Sequence, residues 1–152
     1  MGNENFTREL LDENSPTKKV IGFTVGAWDL LHAGHIIFLK EARNRCDKLI
    51  VGLHINPSIQ HTTKKKPIQS VVERMLQLEG CRWVDGVFPY ETEEDLELIL
   101  RIGNFDVRFL GSDYFNKEDL ITGIDLCHIE YISREHHFSS SELRNRIVKE
   151  DW

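Results

Sequence analysis

The stretch KKVIGFTVGAWDLLHAGHIIFL, residues 18–39, decides how the rest of the chain is read. Its first half is rich in β-branched and aromatic residues and closes on Gly26, the composition of a buried central strand. After Asp29 the apolar residues recur at helical spacing, so a strand hands over to a helix within a few residues. His32 and His35 fall at i and i+3 in that handover and share one face near the amino-terminal end of the helix. Free backbone N–H groups at such an end favour an anion, and two imidazole donors beside them favour a polyphosphate. The competing reading satisfies both rings with local hydrogen bonds. Gly34, between them, leaves room for a nucleotide to approach the backbone.

Downstream the same alternation continues. DKLIVGLHI (47–55) reads as a second buried strand, and the spacing of Val72, Met75, Leu76 and Leu78 makes QSVVERMLQLEGC a helix. VDGVFPY is a short strand, and TEEDLELILRIG is a helix with acids in its first turn, as the dipole prefers. FDVRFLGSDY is a fourth strand, KEDLITGIDL a helix or turn, and HIEYI a fifth strand. SSSELRNRIVKE closes the chain as a helix with a serine cap followed by Glu. The expected fold is α/β, a Rossmann-like open sandwich with a central parallel sheet of about five strands and helices on both faces. In such sheets ligands bind beyond the carboxyl ends of the strands, here the loops after residues 26, 55, 90, 110 and 132. Residues 1–17 read as a flexible leader and 18–150 as a single domain, in keeping with a chain of 152 residues.

A net charge of −6 argues against broad binding to nucleic acid but allows a basic pocket for a small phosphorylated ligand. No apolar run reaches the roughly 18 residues that a membrane span needs, and the polar leader lacks a signal-peptide core, so the expectation is a cytoplasmic protein. Cys46, Cys81 and Cys127 are odd in number and widely spaced, which fits buried thiols better than a zinc site or a disulfide framework.

Neither G-x-G-x-x-G nor a P-loop is present. Instead GAWDLLHAGH resembles the G-x-F-D-x-x-H-x-G-H motif of the nucleotidyltransferase superfamily. ERMLQLEGCRWVDGVFPY resembles the E-R…R-Y/W-V-D-E-V segment of its small cytidylyltransferases, notably those acting on glycerol 3-phosphate. FLGSDY resembles their G-x-D-Y/W loop, and ISREHHFSSSEL their closing R-T-x-G-I-S-T/S-T/S stretch. The four motifs cover residues 18 to 150 in order.

The resemblance implies transfer of CMP from CTP to a phosphorylated alcohol, glycerol 3-phosphate by preference, with release of pyrophosphate. It implies Mg2+ carried by the triphosphate, no dedicated protein metal site, and a homodimer. The catalytic set it implies is His32, His35, Lys64, Lys65 and Arg134, with the register of the lysine run, Lys64 to Lys66, open by a residue. The nucleotide contacts it implies are Val25, Gly26, Ala27, Trp28, Asp29 and Gly34 in the first motif, then Arg74 and Arg82. Gly111, Asp113, Ser139, Ser140 and Ser141 complete that set. Asp29 is expected to order the turn or the catalytic loop rather than act as a base, with a plain helix cap as the competing role. Arginine suits phosphate because its planar fork presents paired, permanently charged donors.

Five positions depart from the pattern: Ala27 stands for threonine, Trp28 for phenylalanine, Asn56 for aspartate, Ser112 for another acid and His137 for glycine. They put acceptor specificity in question. Two alternatives stay open: an adenylyltransferase using ATP with a sugar phosphate, phosphopantetheine or flavin mononucleotide, and a nucleotide-binding module without turnover. A zinc hydrolase is weaker, because no third ligand stands at useful spacing from the two histidines.

Overall fold

In the computed structural model, residues 18–149 are described; the expected leader at 1–17 lies outside them. Five parallel strands form one sheet in the order β3-β2-β1-β4-β5: β1 (Ile21–Gly26), β2 (Lys48–His54), β3 (Gly86–Tyr90), β4 (Val107–Gly111) and β5 (His128–Ile132). The helices between them are α1 (Ala33–Asn44), α2 (Val71–Glu79) and α3 (Glu93–Ile102), and α4 (Ser140–Lys149) follows β5. This is the Rossmann-like sandwich the alternating pattern predicts.

Both faces of the sheet are apolar, which is why the strands read as near-continuous hydrophobic runs. Alternation along β2 sends Leu49, Val51 and Leu53 into a core with Leu39 and Ala42 of α1 and Leu78 of α2. Ile50 points the other way, against the core that Phe23 and Tyr90 build with Leu96 and Leu100 of α3. Chain order reverses between β1 and β4, so the crevice beyond their carboxyl ends is the topological switch point where such sheets bind ligands.

The KEDLITGIDL stretch is not a helix but two 3-10 turns, Glu118–Leu120 and Ile124–Leu126. Gly123, at φ 69, stands between them in the left-handed region and stops propagation. Cys81 is buried, Cys46 and Cys127 are half-buried, and all three are free thiols. Among the described residues no helix is long and apolar enough to cross a membrane.

The amino-terminal edge of the sheet is fastened by one repeated device. The residue just before β2, β3 and β4 is an aspartate, and each accepts a backbone N–H from a neighbouring segment: Asp47 from Val20, just before β1, Asp85 from Leu49 of β2 and Asp106 from Ile21 of β1, at 2.7–2.8 Å. Asp85 also pairs with Arg43, and Asp106 with Lys18.

Candidate active site

The turn from β1 into α1 is strained: Trp28 (φ 53) and Leu30 (φ 51) both lie in the left-handed region, a cost of about 1–3 kcal/mol each that surrounding bonds must offset. Trp28 Nε1 donates to Gly52 O at 3.1 Å, and Leu30 N donates to Gln69 Oε1 at 2.7 Å. Arg74, only 2% exposed, donates to the carbonyls of Ala27, His54 and Ile55 at 2.7–2.9 Å. Its Nε faces the carbonyls of Gln69 and Ser70. The guanidinium that resemblance would aim at a phosphate is therefore spent on fastening the turn, the end of β2 and the start of α2 to one another.

The turn delivers His32 as the N-cap of α1, in place of Asp29. His32 Nδ1 accepts from Gly34 N at 3.0 Å, and His35 Nδ1 accepts from His32 N at 3.2 Å. An imidazole nitrogen that accepts carries no hydrogen, so in neutral rings the proton of each sits on Nε2. The local hydrogen bonds therefore do not compete with ligand binding: they fix two tautomers that each keep a donor free. The rings stack at 3.9 Å between centroids, and the tilted Trp28 ring lies 5.4 Å from His35. Burial first, then His32 and Arg134, push the His35 imidazole down to about 3. Burial, Arg134 and His136 hold His32 below its ordinary value. Both are neutral donors at physiological pH.

Asp29 is 6% exposed and orders its surroundings. Its carboxylate accepts from Ile68 N and Gln69 N at 2.9 Å and pairs with Arg144 of α4 at 2.5 Å, while Ser140 Oγ donates to its carbonyl at 3.3 Å. Burial pushes the carboxyl up, but the two amides and Arg144 outweigh it and the pKa falls below the usual value. Asp29 thus ties the turn to α4 and to the end of the lysine loop.

That loop is strapped at both ends. At its start Glu93 N donates to Gln60 Oε1 at 2.8 Å, and His61 Nε2 meets Glu93 Oε1 at 2.8 Å. At its end Ile68 and Gln69 hang on Asp29. Lys64, Lys65 and Lys66 lie exposed between the two straps.

On the opposite wall Arg134 Nη2 donates to Phe138 O at 2.7 Å, and Ser139 Oγ accepts from Glu142 N at 3.0 Å as the cap of α4. Ser139 and Ser140 are half-buried and Ser141 is exposed. Gly111 ends β4, with Asp113 Oδ1 folded to 2.5 Å from where a β-carbon would stand. The space beside Gly34 is filled from within: a β-carbon there would meet His136 Cε1 at 2.8 Å, His32 Cε1 at 2.9 Å and Phe138 O at 3.0 Å. Glycine is needed here to accommodate these groups.

Arg82 stands apart. It lies in the turn before β3, at the amino-terminal edge of the sheet, with its guanidinium 4.7 Å over the Trp83 ring. Arg144 and His136, by contrast, belong to the site region without having been singled out as site residues. Arg144 sits one helical turn after Ser140, a spacing that only the position of α4 makes meaningful.

Residues 23–147 match the cytidylyltransferase-like family. Among curated proteins the chain is 34% identical over 141 residues to the bifunctional protein HldE of Campylobacter jejuni, covering 91% of this chain and 30% of that protein. It is 36% identical over 129 residues to the HldE of Granulibacter bethesdensis, covering 80% and 26%. The chain thus spans about a third or less of the length of these relatives. Among solved structures, the lipopolysaccharide core biosynthesis protein of Thermoplasma volcanium superposes with a TM-score of 0.63 at 22% identity, covering 80% of this chain and all of that one. These relatives overturn the expectation of a CTP-dependent enzyme acting on glycerol 3-phosphate, because they are HldE proteins and not glycerol-3-phosphate cytidylyltransferases. The segment that favoured CTP, RWVDGVFPY, begins at the amino-terminal edge, where Asp85 accepts from Leu49 N and Arg82 lies over the Trp83 ring.

Proposed function

Since the chain belongs to the cytidylyltransferase-like family, we propose that it is an adenylyltransferase, transferring AMP from ATP to a sugar phosphate with release of pyrophosphate. The observation that carries the choice of branch is the likeness to the HldE proteins over 91% of the chain, which supports ATP with a sugar phosphate.

The reaction is an in-line displacement. An anionic oxygen of the sugar phosphate attacks the α-phosphorus, a new P–O bond forms, the bond from that phosphorus to the bridging oxygen breaks, and pyrophosphate leaves with the electron pair. A phosphate monoester is already an anion, so no general base is needed, and the protein's work is positioning and stabilisation of charge. His32 and His35 supply neutral Nε2–H donors at the amino end of α1. Lys64 and Lys65 bring charge from the loop, and Arg134 from the opposite wall. A recess of about 220 Å3 lined by Ile55, Asn56, Lys66, Gln69 and Ser70 offers a place for the acceptor.

Among the described residues no group of three or more His, Cys, Asp or Glu is placed to hold a metal ion. The Nδ1 lone pairs of both site histidines are engaged and Asp29 is enclosed by its own partners. Mg2+ would enter on the triphosphate, where it would neutralise phosphate charge.

The test is pyrophosphate release with Mg2+, offering ATP or CTP in turn against a panel of sugar phosphates. ATP-dependent release with one acceptor is expected. Equal or better turnover with CTP would overturn the proposal, and silence despite tight ATP binding would leave a nucleotide-binding module.

A further inference from the structure

The loop between β5 and α4 folds back over the amino end of α1. Arg134 Nη2 closes it by donating to Phe138 O, and that carbonyl and the His136 ring together occupy the space a side chain at residue 34 would need. The His136 ring stacks on Phe138 at 5.5 Å between centroids and 30° between planes, so its orientation is set by packing. Its Nδ1 is buried with no hydrogen-bond partner, whereas Nε2 is not. With Nδ1 enclosed and unpartnered, the tautomer that lets the ring's hydrogen meet a ligand carries it on Nε2. That is the tautomer the cap imposes on His32 and His35.

Three imidazoles, two from the helix turn and one from the facing loop, thus keep the same kind of donor free around one helix terminus. We propose that His136 is a catalytic residue of the nucleotidyl transfer, donating Nε2–H to the triphosphate and strengthening that bond as negative charge gathers on the departing pyrophosphate. The inference rests on the nucleotidyl-transfer reading. The chemistry it addresses is the phosphate chain alone, so it applies whatever base or acceptor the enzyme takes. Proximity of His136 to His32 is also felt in the latter's lowered pKa, to which His136 contributes after burial and Arg134.

Three substitutions separate a donor from a filler. Glutamine places an N–H near the Nε2 position, asparagine near Nδ1, and alanine removes both. Binding of inorganic tripolyphosphate with Mg2+ and steady-state pyrophosphate release from ATP would be measured on each, with thermal melting to confirm folding. His136→Ala and His136→Asn are expected to weaken tripolyphosphate binding by about tenfold to a hundredfold, the range for one hydrogen bond to a charged group, and to lower kcat at least as much. His136→Gln should recover most of both. Wild-type binding and turnover in His136→Ala, or no better performance from Gln than from Asn, would overturn the role of His136 and leave the reading of the enzyme intact. Failure of the wild type to bind either tripolyphosphate or ATP would bring down both.

Discussion

The two edges of the sheet are both lined with charge and use it differently. At the amino-terminal edge Asp47, Asp85 and Asp106 each take one N–H from a neighbouring segment, and two of them add a basic partner, so each contact ends where it starts. At the carboxyl-terminal edge the polar groups also hold backbone, but several do so with half of their capacity. His32 and His35 spend Nδ1 and keep Nε2, and the lysine run is fastened through its neighbours and keeps all three ammonium groups exposed. Charge alone does not mark a site. What distinguishes the working edge is a side chain fixed by one atom and unspent at another.

Removing the hub of the carboxyl edge should have the largest effect. Asp29→Ala deletes the acceptor of two loop amides and leaves Arg144 without its carboxylate. Breaking a largely buried pair of this kind costs about 3–5 kcal/mol, measurable by chemical denaturation, and activity should fall with it because the lysine loop loses one strap. Loss of under 1 kcal/mol would mean that the turn holds without Asp29. Because the Asp29 carboxyl sits below its usual range in the folded state, its contribution is present above the unfolded pKa, about 4. It fades as pH falls below that value through the folded one.

His35→Ala should come next. Losing one preorganised donor to developing charge lowers kcat by about 10²–10³, and here the bond that His35 accepts from His32 N goes with it. The same ring predicts a pH signature. Its folded pKa, pushed down to about 3, lies below the unfolded value of about 6.5, so between the two the unfolded chain binds a proton that the folded chain refuses. Wild-type stability should decline as pH drops from about 6.5 towards 3, by at most about 1.4 kcal/mol per pH unit from this group. His35→Gln should flatten that slope. An unchanged slope would show that the imidazole protonates freely in the folded protein.

How much of this was legible in the sequence follows from range. The five strands and four helices were legible because alternation and caps are local: Ser70 with Glu73 and Thr92 with Asp95 close capping boxes three residues apart. The histidine pair was legible for the same reason. The bond from Arg144 to Asp29 spans 115 positions, and Arg74 reaches 47 positions back to Ala27, so neither role exists until the sheet has formed. His136 was visible as a residue but not as a neighbour of Gly34. The choice between CTP and ATP was not legible in RWVDGVFPY, whose Asp85 holds the Leu49 amide and whose Arg82 lies over Trp83; the likeness to the HldE proteins decides against CTP.

The lysine run sharpens the comparison at smaller scale. Lys64→Ala combined with Lys65→Ala should raise the KM for nucleotide by about tenfold, as expected for losing charge-assisted contacts. Stability should move by less than about 0.5 kcal/mol, because both side chains are exposed. Equal losses of kcat and stability would mean that the lysines hold the loop and not the ligand.

The smallest effect belongs to the edge that misled. Arg82 is exposed, lies over Trp83 and precedes β3 at the end of the sheet remote from the crevice. Arg82→Ala should leave kcat and the KM for nucleotide within about twofold and cost at most about 1 kcal/mol, the value of an exposed cation–π contact. Asp85→Ala in the same segment should cost about 1–2 kcal/mol through the unpaired Leu49 amide and the lost Arg43 partner, again without moving KM. A KM that rose with Arg82→Ala alone would require this arginine to reach a nucleotide held by another copy of the chain, since its own crevice lies beyond the opposite ends of the strands.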